Sequence, residues 1–369
     1  MQYKRMPIEI ESPESLGYDS IACNLAESSV RDLSFRDLGI DLQELILAYG
    51  DHMGKPALRE LVAASHRNLE AADVLITAGA AAALFMVHTA FLRPQDHLVV
   101  LRPNYATNIE TPRAIGCQIS FIDLLFEEGF TVSVEKIKKA IRPNTRMISV
   151  TTPHNPTGTE IGEYAMGELC RLAELHGIVL LVDETYRDLG FHEPSTLAAS
   201  LSGQAISICS MSKAYGIPGI RLGWLMTQNK YWQEVLLAAK EQICICNSVV
   251  DEEIGYQFLL GKDPFIAGIG KQTQENFRQL CDWMDHHAYL EWVKPTGGVV
   301  CFPRFREGTL PDAERFYHVL LNQYQTYVGP GHWFEQEMRY FRLGFGWEKK
   351  EAFMAGLENI DRAIRDCRG

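Results

Sequence analysis

Between residues 74 and 226 the chain alternates short apolar, β-rich runs with helical stretches, and this pattern restricts the fold more than any other feature. The runs are Val74–Thr77, His97–Leu101, Gln118–Ile122, Met147–Val150, Val179–Val182, Ala205–Ser210 and Gly223–Met226. Several are apolar at every position, as expected of strands covered on both faces. Helix-like stretches such as Ala80–Phe91, Val134–Ile141 and Tyr164–His176 lie between them. Alternation on this scale implies an α/β fold with a mostly parallel central sheet flanked by helices. The ends read differently. Residues 1–45 are loop-rich with one short helix, and a long helical stretch runs from Lys271 to Ala288. An antiparallel pattern follows at Leu290–Lys294, Gly298–Phe302, Thr326–Val328 and Tyr340–Gly344, and a helix closes the chain over Lys349–Asp366. We expect a large domain over residues 46–270 and a smaller α+β domain built from 1–45 and 271–369.

The bulk properties narrow the function. Of 369 residues, 46% are hydrophobic, ample for a packed core. The net charge of −12 argues against a nucleic-acid or anionic-membrane partner, since both need a basic face. No apolar run approaches the roughly 18–20 residues that span a bilayer. The N-terminus lacks the apolar core of a signal peptide. Nine cysteines show no metal-ligand spacing; Cys244 and Cys246 have no second pair to complete a zinc set. A cytoplasmic protein with reduced cysteines and no bound metal is expected.

Four motifs carry chemistry. Ser210-Met211-Ser212-Lys213 follows the apolar run Ala205–Ser210, with Arg221 shortly after. A lysine at a buried strand end loses its proton more easily, and the neutral amine forms a Schiff base with an aldehyde. The two hydroxyls and Arg221 suit a phosphate dianion. Asp183-Glu184-Thr185-Tyr186 ends another strand, where open α/β sheets bind ligands. Asp183 there could pair with a protonated ring nitrogen, and Tyr186 could bond a phenolic oxygen. Pro153-His154-Asn155-Pro156-Thr157-Gly158 is a rigid loop aiming the Asn155 amide. Gly79-Ala80-Ala81 opens a helix after a strand, a ready phosphate site, and Tyr105 follows a strand end where its ring could stack on a flat cofactor. Each motif has a plain alternative: a surface lysine, a helix-capping carboxylate, an ordinary turn, a core tyrosine.

In order and spacing these residues resemble the class I/II aminotransferase family of fold-type I pyridoxal 5′-phosphate (PLP) enzymes. The resemblance rests on Tyr49-Gly50, Gly79, Tyr105, Asn155-Pro156-Thr157-Gly158, Asp183-x-x-Tyr186, Ser210-x-Ser-Lys213, Arg221 and Arg342. It implies catalytic roles for Lys213, Asp183 and Tyr105, with Lys213 carrying the cofactor and shuttling the proton. It implies a cofactor site of Gly79, Ala80, Ala81, Tyr105, Asn155, Asp183, Tyr186, Ser210, Ser212, Lys213 and Arg221, completed by Tyr49 from a partner subunit of a homodimer. Arg342, with Arg339 as the alternative, would clamp the substrate α-carboxylate beside Asn155. Two departures stand out. Ala80 and Ala81 occupy positions where many relatives carry a phosphate-binding hydroxyl. Between Lys213 and Arg278 the single arginine is Arg221, which disfavours a dicarboxylate substrate.

The expected activity is therefore transfer of an amino group from an amino acid to a keto acid. Glu27 lies where the family lines its side-chain pocket, and there it could pair with a basic substrate such as arginine; a solvated loop charge is the alternative. Cyclisation, elimination or oxidation by the same cofactor is the competing reading. A PLP-binding regulator lacks its DNA-binding segment here, and no G-x-G-x-x-G supports a dehydrogenase.

Overall fold

A computed structural model describes residues 1–309 and 312–368. All seven expected strands form and pair in one sheet. They are β1 (Val74–Thr77), β2 (His97–Arg102), β3 (Gln118–Asp123), β4 (Thr145–Thr151), β5 (Val179–Asp183), β6 (Ala205–Ser210) and β7 (Gly223–Met226). Their order across the sheet is β1-β7-β6-β5-β4-β2-β3. β7 alone runs against the others, so the sheet is mostly parallel, as expected.

The apolar character of these strands has a direct cause. Ile148, Val150, Leu180 and Val182 point into one buried layer. Met147, Leu181, Ile206 and Ile208 alternate with them and point into the other. Helices cover both faces, and each such side chain contributes about 1.5–3 kcal/mol by leaving water.

The topology gathers the motifs at one edge. β4, β5 and β6 end side by side, with Thr151 opposite Asp183 and Asp183 opposite Ile208. The Pro153–Gly158 loop, Asp183 and Ser210–Lys213 therefore share the carboxyl edge of the sheet. Reversal of β7 brings its first residue, Gly223, between Thr77 and Ser210. Arg221, two residues earlier, is thereby delivered to the same edge as the helix Gly79–Phe91.

The ends depart from expectation. The first 45 residues hold three short helices, Pro7–Ile10, Pro13–Leu16 and Phe35–Leu38, rather than one. Proline at the first turn starts two of them, and Ser12 and Ser34 cap their backbones. Cys23–Asn24, in the segment expected to be loop, pairs parallel with Thr326–Tyr327, which was expected in an antiparallel pattern with the other C-terminal strands. Phe341–Gly344 sits antiparallel between Val300–Cys301 and Gly329–Pro330. The expected helix from Lys271 begins earlier, over Asp263–Asp285, and the last helix spans Lys350–Arg368. Among the described residues, no helix is long and apolar enough to cross a membrane, and no group of three potential ligands is placed to hold a metal.

Candidate active site

A cavity of about 460 Å³ opens at the carboxyl edge of the sheet. Lys213, Asp183, Tyr105, Asn155, Tyr186, Ser210, Ser212, Arg221, Ala80, Ala81, Glu27 and Arg342 all line it. They come from segments more than 300 residues apart in the chain. Gly79 stands just behind this wall. Tyr49 does not reach it and is 84% exposed on a loop with Ile46 and Leu47. Arg339 pairs with Glu337 outside the lining, which leaves Arg342 as the inward arginine.

One end of the cavity suits a phosphate. The helix Gly79–Phe91 starts there, and its N-cap residue Ala78 gives no side-chain hydrogen bond. Its first N–H groups are therefore uncapped, with the positive end of the helix dipole behind them. Gly79 has φ +80°, and a β-carbon there would come within 2.6 Å of the Arg221 guanidinium. Glycine is thus required for Arg221 to lie against the loop. Arg221 in turn donates to the Ser212 hydroxyl at 3.3 Å and the Pro218 carbonyl at 2.6 Å. Ser210 Oγ accepts from the Ser212 N–H.

The middle suits a flat cationic ring. Asp183 is 5% exposed, and its Oδ1 accepts from the Thr185 hydroxyl at 2.6 Å and the Thr185 N–H at 3.1 Å. Burial raises its pKa, opposed by these bonds and by Lys213. A carboxylate fixed and desolvated in this way favours a positive partner. Tyr105 forms part of the wall, its N–H held by Asn104. Burial and the neighbouring Glu9 push its hydroxyl up to about 12, so the phenol stays neutral.

The far end suits a carboxylate. Arg342 is 5% exposed. It donates to Asn155 Oδ1 at 3.1 Å and to the Ala26 carbonyl at 2.7 Å, and its Nε has no protein partner. Phe334 and Trp333 pack against the guanidinium, at 5.2 and 5.8 Å from their ring centres. Burial lowers its pKa from the usual arginine value. An arginine desolvated and partly unpaired needs an anion. Gly344 makes this corner possible, because a β-carbon there would overlap the Glu27 carbonyl at 1.8 Å. The Leu25–Glu27 segment can therefore lie directly on the strand that carries Arg342, with the Gly344 N–H donating to the Leu25 carbonyl.

Phosphate donors, a ring-facing carboxylate, a lysine and an anion-seeking arginine thus fit PLP joined to an amino acid. A family profile described as aminotransferase class I and II matches residues 26–352. The chain belongs to the class I and II aminotransferase family. It is a PLP-dependent enzyme of fold type I. Capreomycidine synthase of Streptomyces vinaceus is 28% identical over 90% of this chain and 88% of its own. Arginine–pyruvate transaminase AruH of Pseudomonas aeruginosa is 32% identical over 54% of this chain and 51% of its own. Among solved structures, a PLP-dependent aminotransferase from Streptococcus suis superposes with a TM-score of 0.91 at 26% identity, covering 100% of this chain and 99% of its own. The PLP-dependent cyclase OrfR superposes at 0.88 and 26% identity, over 100% and 99%.

Several lining residues escaped the sequence reading: Thr185, Ser28, Trp333, Glu9 and Glu14. Thr185 was legible in principle, since Asp-x-Thr is a local side-chain-to-backbone turn. The others carry no local signal and arrive by tertiary packing.

Proposed function

We propose that the enzyme moves the α-amino group of an L-amino acid to a keto-acid acceptor, with PLP held on Lys213. The observation that carries this reading is Arg342, buried and unpaired at Nε, joined through Asn155 to the same cavity as Lys213 and Asp183. Bound PLP supplies an electron sink that makes the substrate Cα–H acidic. The protein does the rest. Arg342 and Asn155 fix the α-carboxylate and so orient Cα–H. Lys213 Nζ, which lines the same cavity, would take the Cα proton as general base and return it. Asp183, its carboxylate fixed by Thr185, would keep the ring nitrogen protonated. Asn155 and Tyr186 would serve the phenolic oxygen, and Tyr105 would offer its ring as a stacking face. Ala80, Ala81, Ser210, Ser212 and Arg221 would hold the phosphate, with backbone N–H groups replacing the missing hydroxyls.

The exposed loop Ile46–Tyr49 supports a homodimer in which Tyr49 reaches the partner's phosphate site. In the same reading residues 46–270 form the cofactor domain, 1–45 with 271–369 the smaller one, and the enzyme works in the cytoplasm. A second reading keeps the cofactor and Lys213 but changes the outcome to cyclisation, elimination or oxidation of a basic amino acid such as arginine. The similarity to capreomycidine synthase and to the cyclase OrfR favours it, as does Glu27 on the cavity wall. Incubation with an amino acid, with and without pyruvate, separates the two. Keto acid that forms in quantity only with pyruvate supports transfer; a multiple-turnover product without acceptor refutes it. Loss of the cofactor's visible band in Lys213→Ala tests the attachment.

A further inference from the structure

The cavity contains more negative charge than the proposed chemistry uses. Its charged walls are Lys213, Arg221 and Arg342 against Asp183, Glu9, Glu14 and Glu27. In the reading above, which this inference rests on, Lys213 is joined to the cofactor, Arg221 faces its phosphate and Asp183 its ring nitrogen. Arg342 takes the α-carboxylate. Every cation is then matched, and three carboxylates remain. Among the described residues none of the three has a cationic partner within 4.0 Å; the side chains of Glu9 and Glu27 accept only from the tyrosine hydroxyls of Tyr105 and Tyr18, both at 3.3 Å. Glu9 and Glu27 are half-buried, and Glu14 stands at the rim.

These carboxylates are held in place. Glu11, between Glu9 and Glu14, accepts from the Trp333 indole at 2.7 Å and sits 2.8 Å from His332 Nε2. Its carbonyl accepts from the Tyr327 hydroxyl at 2.8 Å. The two proline-started helices are thus pinned over the cavity mouth by a residue that is not itself part of the wall. Trp333 also packs on Arg342, so one ring ties the acidic wall to the carboxylate clamp. Carboxylates that share a cavity and have no ion-pair partner attract a ligand cation. Arg342 is the independent sign that a ligand comes here, because its Nε is buried without a partner.

We infer that Glu9, Glu14 and Glu27 recognise a positively charged substrate side chain, so that the substrate is a 2-amino acid ending in a guanidinium or ammonium group. Glu27 meets it beside the clamp, and Glu9 and Glu14 meet it from the N-terminal helices. The same three charges repel dicarboxylates, for which the cavity provides no spare cation.

The test is titration of the PLP-loaded enzyme with arginine, citrulline, lysine, norleucine and glutamate, reading affinity from the shift of the visible cofactor band. Citrulline and norleucine are neutral near-isosteres of arginine and lysine. The expected result is arginine or lysine binding at least about tenfold tighter than its isostere, a ratio typical of a partly desolvated charge pair. Glu14→Gln and Glu9→Gln should each reduce that ratio severalfold, and Glu14→Lys should reverse the order of arginine and glutamate. Glu14 makes no side-chain hydrogen bond, so its variants probe charge without unpinning the segment. Equal affinity within both pairs, arginine with citrulline and lysine with norleucine, overturns the inference, as does an unchanged ratio in both glutamine variants. A band that no amino acid shifts instead removes the underlying amino-acid reading, and this inference with it.

Discussion

Replacing Gly79 by alanine separates what the phosphate end does for the cofactor from what it does for the fold. Gly79 has φ +80°, and the added methyl would lie 2.6 Å from an Arg221 amine nitrogen. Two costs follow. Holding an L-residue in the left-handed region costs roughly 1–2 kcal/mol, and that falls on the apo protein. The clash displaces the guanidinium from its bonds to Ser212 and Pro218. Loss of one charge-assisted bond to phosphate costs roughly 1.5–3 kcal/mol, or about 10–150-fold in cofactor affinity. The assay is equilibrium dialysis of the apo enzyme against PLP and, separately, against pyridoxal, alongside the thermal midpoint of the apo form. PLP affinity should fall by that factor, and pyridoxal affinity by less than about threefold. The apo midpoint should drop by a few degrees. If both ligands weaken equally, Arg221 does not face the phosphate and the assignment of that end fails.

Asp183→Asn keeps a side chain that Thr185 can bond but removes the charge; single-turnover rates should fall by roughly 10²–10³-fold with the fold intact, as followed by stopped-flow absorbance. Arg342→Lys removes the fork geometry, and KM for the amino acid should rise about 10–100-fold with cofactor affinity unchanged, measured by steady-state kinetics and dialysis. Burial raises the Glu184 carboxyl from 4.5 to about 7, against Arg187 and Ser207. A carboxyl raised on folding stabilises the fold below pH 4.5 and loses that contribution as pH rises through 7. Glu184→Gln should therefore flatten the fall in urea-unfolding stability between pH 4.5 and 7, by up to about 3 kcal/mol; an unchanged slope would falsify the assignment.

The central sheet and most of the cofactor end were legible because their signals are local. Apolar runs mark doubly covered strands, and parallel strands must put their ends, with Asp183 and Lys213, on one edge. The direction of β7 was not legible, although it is what delivers Arg221, since an apolar run marks a buried strand without marking its direction. Apart from Phe341–Gly344, the small strands outside the central sheet are two residues long, too short for periodicity to set their partners. Cys23–Asn24 pairs parallel with Thr326–Tyr327, and Gly344 and Gly356 let the adjoining N-terminal segment lie close on its neighbours. Trp333, Glu9 and Glu14 enter the cavity through that same packing, which no local pattern encodes.

This division bears on which reaction the enzyme performs. The residues visible in the sequence, Lys213, Asp183, Asn155, Tyr186 and Arg342, would loosen the Cα proton in any of the reactions considered. In that role they would act on atoms shared by all amino acids. Which product follows depends on what the substrate side chain meets beyond Cα, and on whether that chain is held close enough to react. Those contacts come from Glu9, Glu14, Glu27 and Trp333, all brought to the cavity by the end segments. A side chain bound at its charged tip is restrained at both ends, by Arg342 and by the carboxylates. Restraint of that kind favours intramolecular attack as readily as orderly release of a keto acid. On the proposed substrate recognition the N-terminal helices would govern the choice, and exchanging the Glu9–Glu14 segment should alter product distribution more than any change around Lys213 that preserves proton transfer.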